Sequence, residues 1–201
     1  CIVFAEVSGS IQGDPNRKLS TRPQMEKDEW QKFCEKISEL GKYLEDEGMP
    51  LAYHHHMGTV IETQKDTERL IENTHESVKL TLDTGHMLFA KGDSKYILQN
   101  YHERILHVHC KDIRKQVLEK SLKEDLSFRG AFLEGAFTVP GDGCIDYQPL
   151  FNVLKNNNYS GWLVVEAEQD PAKANPLEYA KIGYKYLTDT LKKSEIEIYK
   201  N

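Results

Sequence analysis

The stretch VKLTLDTGHMLFAKGDSKYILQNYHERILHVHC (78–110) decides the fold. It opens on VKLTLD (78–83) and closes on RILHVHC (104–110), two strand-like runs, with a helical pattern expected at about 93–101 between them. Strand, helix and strand in so short a span make a βαβ unit, whose two strands run parallel. The same alternation continues in both directions. Upstream, IVFAEV (2–7) reads as a strand and is followed by a polar loop carrying Gly9, Gly13 and Pro15. A helix is expected at about 28–46, where Trp30, Phe33, Ile37, Leu40 and Leu44 recur three or four apart, with Gly48 just past its end. PLAYHH (50–55) is the next strand, and a helix follows around 64–75. Downstream come a charged helical insertion at 113–125 and a glycine-rich, irregular segment at 127–146 with a short strand at 136–139. A helix at 147–157 N-capped by Asp146, the strand GWLVVEAE (161–168) and a helix at 176–193 complete the chain.

Repeated βα alternation leaves two architectures, an open doubly wound sheet or a closed (β/α)8 TIM barrel. No GxGxxG follows the first strand, so the dinucleotide-binding form lacks its fingerprint. Titratable residues stand at the C-terminal ends of successive strands: Glu6, His54, Asp83, His109 and Glu166. In a barrel those ends meet at one mouth, where active sites are built. The expectation is a single domain over 1–201 holding six βα units where a barrel has eight. Because the sequence starts at Cys1 inside an apolar run, the first two units are expected to be the missing ones.

With 201 residues, 39% of them hydrophobic, the chain can bury one sizeable core. A net charge of −6 argues against a nucleic-acid partner, which needs a basic surface. No apolar run approaches the roughly 20 residues of a membrane helix. Four scattered cysteines without a CxxC pair speak for a reducing, cytoplasmic setting, with each thiol a buried small hydrophobe. Trp30, Phe33, Met49 and Met57 read as packing, and His75 and His102 as surface residues. The loop at 139–147 lacks the Lys-Ser/Thr of a phosphate-binding P-loop.

Strand side chains alternate faces. His107, His109 and Lys111 therefore share one side, as do Thr81 and Asp83, Glu166 and Glu168, and His54 and His56, with His55 opposed. Converging at one mouth, His54, Asp83, His109 and Glu166 make a mixed nitrogen and oxygen set suited to Mn²⁺, Co²⁺, Zn²⁺ or Fe²⁺ rather than Ca²⁺. Taken singly, a strand-end carboxylate is more often a cap or a rim ion pair. Asp112 and Glu168 read as outer partners of the ligands or as solvated side chains.

Five segments together resemble the inosose dehydratases, a branch of the xylose isomerase-like TIM barrels: LAYHHHMGT (51–59), LDTGH (82–86), HVHCKD (107–112), FTVPGDGCIDY (137–147) and GWLVVEAEQDPAKANP (161–176). FAEVSGSIQGD (4–14) resembles that family's third strand and its loop. The resemblance implies a divalent metal, Mn²⁺ or Co²⁺, held from four strands. Asp83, His109 and Glu166 match the last three ligands. The first falls in the histidine triplet, at His54, with His56 on the same face. The implied reaction removes water from a cyclic polyol ketone, with Glu6, His56 and His86 as candidate acid and base and Lys111 steadying negative charge. Glutathione enters as a cofactor by family resemblance alone. The rival readings are a sugar isomerase or epimerase on the same metal scaffold, a metal-dependent endonuclease, and an inactive sugar-binding fragment. A second copy of the chain covering the open barrel edges is the expected form of any homo-oligomer.

Overall fold

The computed structural model describes residues 1–199. Five parallel strands form its main sheet in the order β1 (Ile2–Phe4), β2 (Leu51–His54), β3 (Val78–Asp83), β4 (Ile105–Cys110) and β7 (Trp162–Val165). The strands follow chain order with helices between them, so this is one open arc of a parallel α/β barrel. The register sets His54 opposite Thr81, Asp83 opposite His109, and His109 opposite Val164. His54, Asp83 and His109 therefore lie along one edge of the sheet. β2 is buried along its whole length, as expected of a strand covered on both faces.

The longest helices each cover the sheet with one stripe. α1 (Lys27–Asp46) buries Trp30, Cys34, Ile37 and Gly41 at helical spacing. It stops at Gly48, whose φ of +73° is open to glycine at no steric cost, and the Met49 amide reaches back 2.8 Å to the Leu44 carbonyl. α2 (Gln64–Asn73) begins in a capping box between Thr63 and Asp66, α4 (Ser94–Tyr101) under Asp93, and α8 (Pro176–Lys193) under Asn175. Such caps are each worth about 1 kcal/mol. The main core, with Tyr53, Leu80, Leu82, Ile97, Phe151 and Leu187, lies between sheet and helices. A smaller apolar cluster of Met57, Phe89, Phe128 and Phe137 packs separately from it.

Several local expectations change. The short strand in the glycine-rich segment forms as β6 (Phe137–Thr138), but it pairs antiparallel with β5 (Asp112–Ile113), outside the main sheet. Arg114 explains this: its guanidinium donates to the Gly135 and Phe137 carbonyls and to Thr138 Oγ1, tying the segment to the end of β4. β7 consequently pairs directly with β4 and ends at Val165, leaving Glu166 and Glu168 in the extended segment beyond it. Two short helices also form. α3 (Thr84–Phe89) starts immediately on the Asp83 cap, and α6 (Phe128–Leu133) starts under Ser127. α5 (Lys115–Lys123) fills the charged insertion, and α7 (Gln148–Asn156) begins after Tyr147 rather than Asp146, although Asp146 still accepts the Gln148 amide at 3.0 Å. Met49, Cys1 and Cys144 are exposed, not packed, while Cys34 and Cys110 are buried. No helix among the described residues is long and apolar enough to cross a membrane.

Candidate active site

Asp83 is the hinge of the site. As the last residue of β3 and the cap of α3, it accepts the His86 amide on Oδ1 at 2.9 Å. Its other oxygen, Oδ2, then faces His54 Nε2 at 3.5 Å, His109 Nδ1 at 3.5 Å and Lys111 Nζ at 3.4 Å. His54 donates from Nδ1 to the His55 carbonyl at 2.5 Å, which leaves the Nε2 lone pair free to face that oxygen. Glu166 closes the set, its Oε2 lying 2.7 Å from His109 Nδ1. One donor atom from each of His54, Asp83, His109 and Glu166 lies within 4.8 Å of the others.

The middle histidine has a different task. His55 is fully buried and its Nε2 accepts the Asp83 amide at 3.2 Å, tying the end of β2 to the end of β3. Burial, reinforced by the neighbouring His54, pushes its imidazole down to about 3, so it stays neutral.

A second group lies alongside. His56 Nε2 is 3.6 Å and His86 Nε2 is 3.1 Å from the Glu168 carboxylate, and the two rings lie against each other with centroids 3.7 Å apart and planes tilted by 41°. Lys111 joins the groups. Its ammonium has no exposed surface and reaches Glu168 Oε2 at 2.9 Å, Glu166 Oε1 at 3.3 Å and His86 Nε2 at 3.0 Å, in addition to Asp83. Gly85 makes room for its stem, since a Cβ there would stand 2.7 Å from Lys111 Cγ. Thr84 Oγ1 fastens the same turn to β4, donating to the Lys111 carbonyl at 2.7 Å and meeting the buried Tyr147 hydroxyl at 2.7 Å.

Electrostatics follow from this packing. Burial disfavours a charged Glu168, but hydrogen bonds from His56 and His86 and the Lys111 charge hold its carboxyl far below the usual range. The same contest, with Lys111 the main opposing charge, leaves Asp83 ionised. Lys111 is held firmly protonated because three carboxylates outweigh its burial. For His109, Asp83 and Glu166 likewise outweigh burial and lift the imidazole to about 9. His86 is driven down by burial, then by His56 and Lys111.

Seven of the eight residues singled out in the sequence thus gather in two adjoining groups. Glu6 does not join them: its carboxylate accepts the Ser8 amide at 2.7 Å, and among the described residues it makes no ion pair with either group. Glu168, expected as an outer partner of the ligands or as a solvated side chain, stands in the second group beside His56 and His86. Gln12 was missed: its side-chain amide meets His56 Nδ1 at 2.6 Å, but it sits in an aperiodic loop that gave no signal. Asp112 is enclosed rather than solvated, accepting the Ile113 and Ile145 amides at 2.7 and 2.9 Å.

A divalent metal fits the first group. Asp83 Oδ2, His109 Nδ1 and Glu166 Oε2 are buried atoms without a hydrogen-bond partner, because the 2.7 Å approach of His109 to Glu166 does not lie along a ring N–H. Three such orphans facing one another are costly unless a cation joins them. Two imidazoles and two carboxylates are a borderline-hard donor set that matches first-row divalent ions.

Residues 1–190 match the xylose isomerase-like TIM barrels, and the chain belongs to that family. Within it, the chain is 47% identical over 190 residues to the inosose dehydratase of Clostridium beijerinckii, covering 94% of this chain and 64% of that protein. It is 45% identical to the inosose dehydratase of Halalkalibacterium halodurans, again over 94% of this chain and 63% of the relative. The chain therefore spans somewhat under two thirds of the length of these relatives. Among solved structures, the IolI protein with a bound zinc atom superposes with a TM-score of 0.64 at 21% identity, over 87% of this chain and 60% of IolI, a likeness of fold.

Proposed function

We propose that this chain carries the site of a metal-dependent hydro-lyase that removes water from 2-keto-myo-inositol, giving a trihydroxycyclohexane-1,2-dione in the breakdown of myo-inositol. The observation that carries the reading is the pairing of a metal-fitting tetrad with a proton-handling group directly beside it, bridged by Lys111. The two relatives named above, both inosose dehydratases, support the substrate. In this reading His54, Asp83, His109 and Glu166 hold Mn²⁺ or Co²⁺, in a cytoplasmic protein of which residues 1–201 form one domain with six βα units. The ion, when bound, supplies a Lewis acid for the ketone oxygen.

The chain's own residues handle the protons. The reaction takes the hydrogen from the carbon next to the ketone and expels the neighbouring hydroxyl as water. The enol left behind becomes the dione by moving its proton to carbon. His56 and Glu168 are the partly exposed members of the second group and so the ones a substrate reaches. Glu168, held as an anion, accepts the carbon-bound proton, and His56 delivers a proton to the departing hydroxyl. His86 and Lys111, both without exposed surface, act through Glu168: they are positioning residues that fix its carboxylate. Glu6 takes no part in this proton path.

Incubation of the chain with Mn²⁺ and 2-keto-myo-inositol, followed by mass spectrometry, tests the proposal. The product is expected to be lighter by one water. A product of unchanged mass makes the protein an isomerase or epimerase. Metal and ketone bound without turnover make it a binding protein.

A further inference from the structure

The His56, His86 and Glu168 group has the composition and the spacing of a second metal site, with its donor atoms within 4.8 Å of one another. One feature of the structure opposes that use. The Lys111 ammonium already stands against this group, 3.0 Å from His86 Nε2 and 2.9 Å from Glu168 Oε2. It also touches both carboxylates of the tetrad, Asp83 at 3.4 Å and Glu166 at 3.3 Å. We propose that Lys111 takes the place of a second metal ion, so that the site holds one divalent cation and the His56, His86 and Glu168 group stays metal-free for proton transfer. This rests on the reading that the tetrad holds a divalent ion.

Charge balance carries the argument. Asp83, Glu166 and Glu168 bring three negative charges into a largely buried space, and Lys111 returns one positive charge. A single divalent ion neutralises the remaining two. A second divalent ion would leave two uncompensated positive charges there, with Lys111 in contact, and burying unpaired charge is prohibitive. Geometry agrees. A lysine ammonium is a compact cation with three donors, and here the carboxylates of Asp83, Glu166 and Glu168 surround it as ligands would surround a metal. Its place is fixed from behind, because Gly85 lets the stem cross α3 and Thr84 holds the Lys111 carbonyl.

The inference predicts a gain of metal when the charge is removed. Mn²⁺ titration by calorimetry and electron paramagnetic resonance would be run on the wild-type chain, on Lys111→Met and on Lys111→Met combined with His86→Ala. The expected result is one ion in the wild type, two spin-coupled ions in Lys111→Met, and one again in the double variant. Two ions in the wild type, or one in a folded Lys111→Met, overturn the proposal while leaving a metal in the tetrad. No ion in the wild type overturns both readings. If Lys111→Met is unfolded without metal, refolding is repeated with Mn²⁺. Recovery of the fold with two ions supports the substitution of cation for cation, and failure to recover overturns it.

Discussion

The His86 amide donates to Asp83 Oδ1 at 2.9 Å, and this single bond orders both halves of the site. It starts α3 at the end of β3, which swings His86 towards Glu168. It also occupies one Asp83 oxygen and so turns the other towards His54, His109 and Lys111. The LDTGH motif (82–86) is thus a strand end, a helix cap, a close-approach glycine and a proton-group member in one run.

The glycine of that run is testable alone. Gly85→Ala would put a methyl group 2.7 Å from Lys111 Cγ. Overpacking of this kind costs about 1–3 kcal/mol. The variant is expected to melt earlier and to bind Mn²⁺ more weakly, because Lys111 must leave the carboxylates it touches. Thermal melts with and without Mn²⁺ check this. An unchanged melting temperature would show that the lysine stem yields freely.

His55 gives the protein an acid limb. Its folded imidazole sits at about 3 because burial excludes its charge, whereas an unfolded histidine titrates near 6.5. As the pH falls below about 6.5 the unfolded chain takes up a proton that the folded chain refuses, so stability falls with pH down to about 3. The slope from this group approaches about 1.4 kcal/mol per pH unit. Urea denaturation of wild type and His55→Gln between pH 6 and 4 should show the variant with the shallower loss. Parallel curves would remove His55 from the account.

His109 works in the opposite sense in the metal-free protein. Its folded value, about 9, lies above the unfolded one near 6.5. Its contribution to stability is therefore fully present below about 6.5 and is lost as the pH rises through about 9. Metal needs the neutral ring, so Mn²⁺ affinity should rise across the same window, with proton release on binding at pH 7.5. Calorimetry in buffers of differing ionisation enthalpy measures that release. No release would mean that the ring is already neutral.

The strand and helix order was legible because apolar periodicity is local: VKLTLD forms the strand Val78–Asp83, and the Trp30 to Leu44 stripe marks α1. The tetrad was legible because His54, Asp83 and His109 end or nearly end their strands on one side of the sheet, and Glu166 follows directly on the strand Trp162–Val165. What escaped depends on contacts between distant residues. β6 follows Arg114 rather than its own apolar pattern, α3 exists because Asp83 caps it, and the burial of Asp112 under loop amides has no periodic signature. Glu168 was visible on the right face, but its place between two imidazoles and an ammonium belongs to the tertiary structure alone.

Glu168 also separates the two groups by experiment. Asp83→Asn removes a charged donor from the tetrad, so Mn²⁺ affinity should fall by more than the ~10–100-fold that loss of an outer partner costs, and turnover should fall with it. Glu168→Gln keeps the shape and removes only the charge that Lys111, His56 and His86 hold in place. Mn²⁺ should still bind one ion per chain, whereas dehydration should slow by about 10²–10⁴-fold, the usual worth of a general acid or base. Metal analysis and steady-state turnover on the same preparations give both numbers. If Glu168→Gln lost the metal together with activity, Glu168 would be a ligand, and the two groups would have to be treated as one metal centre.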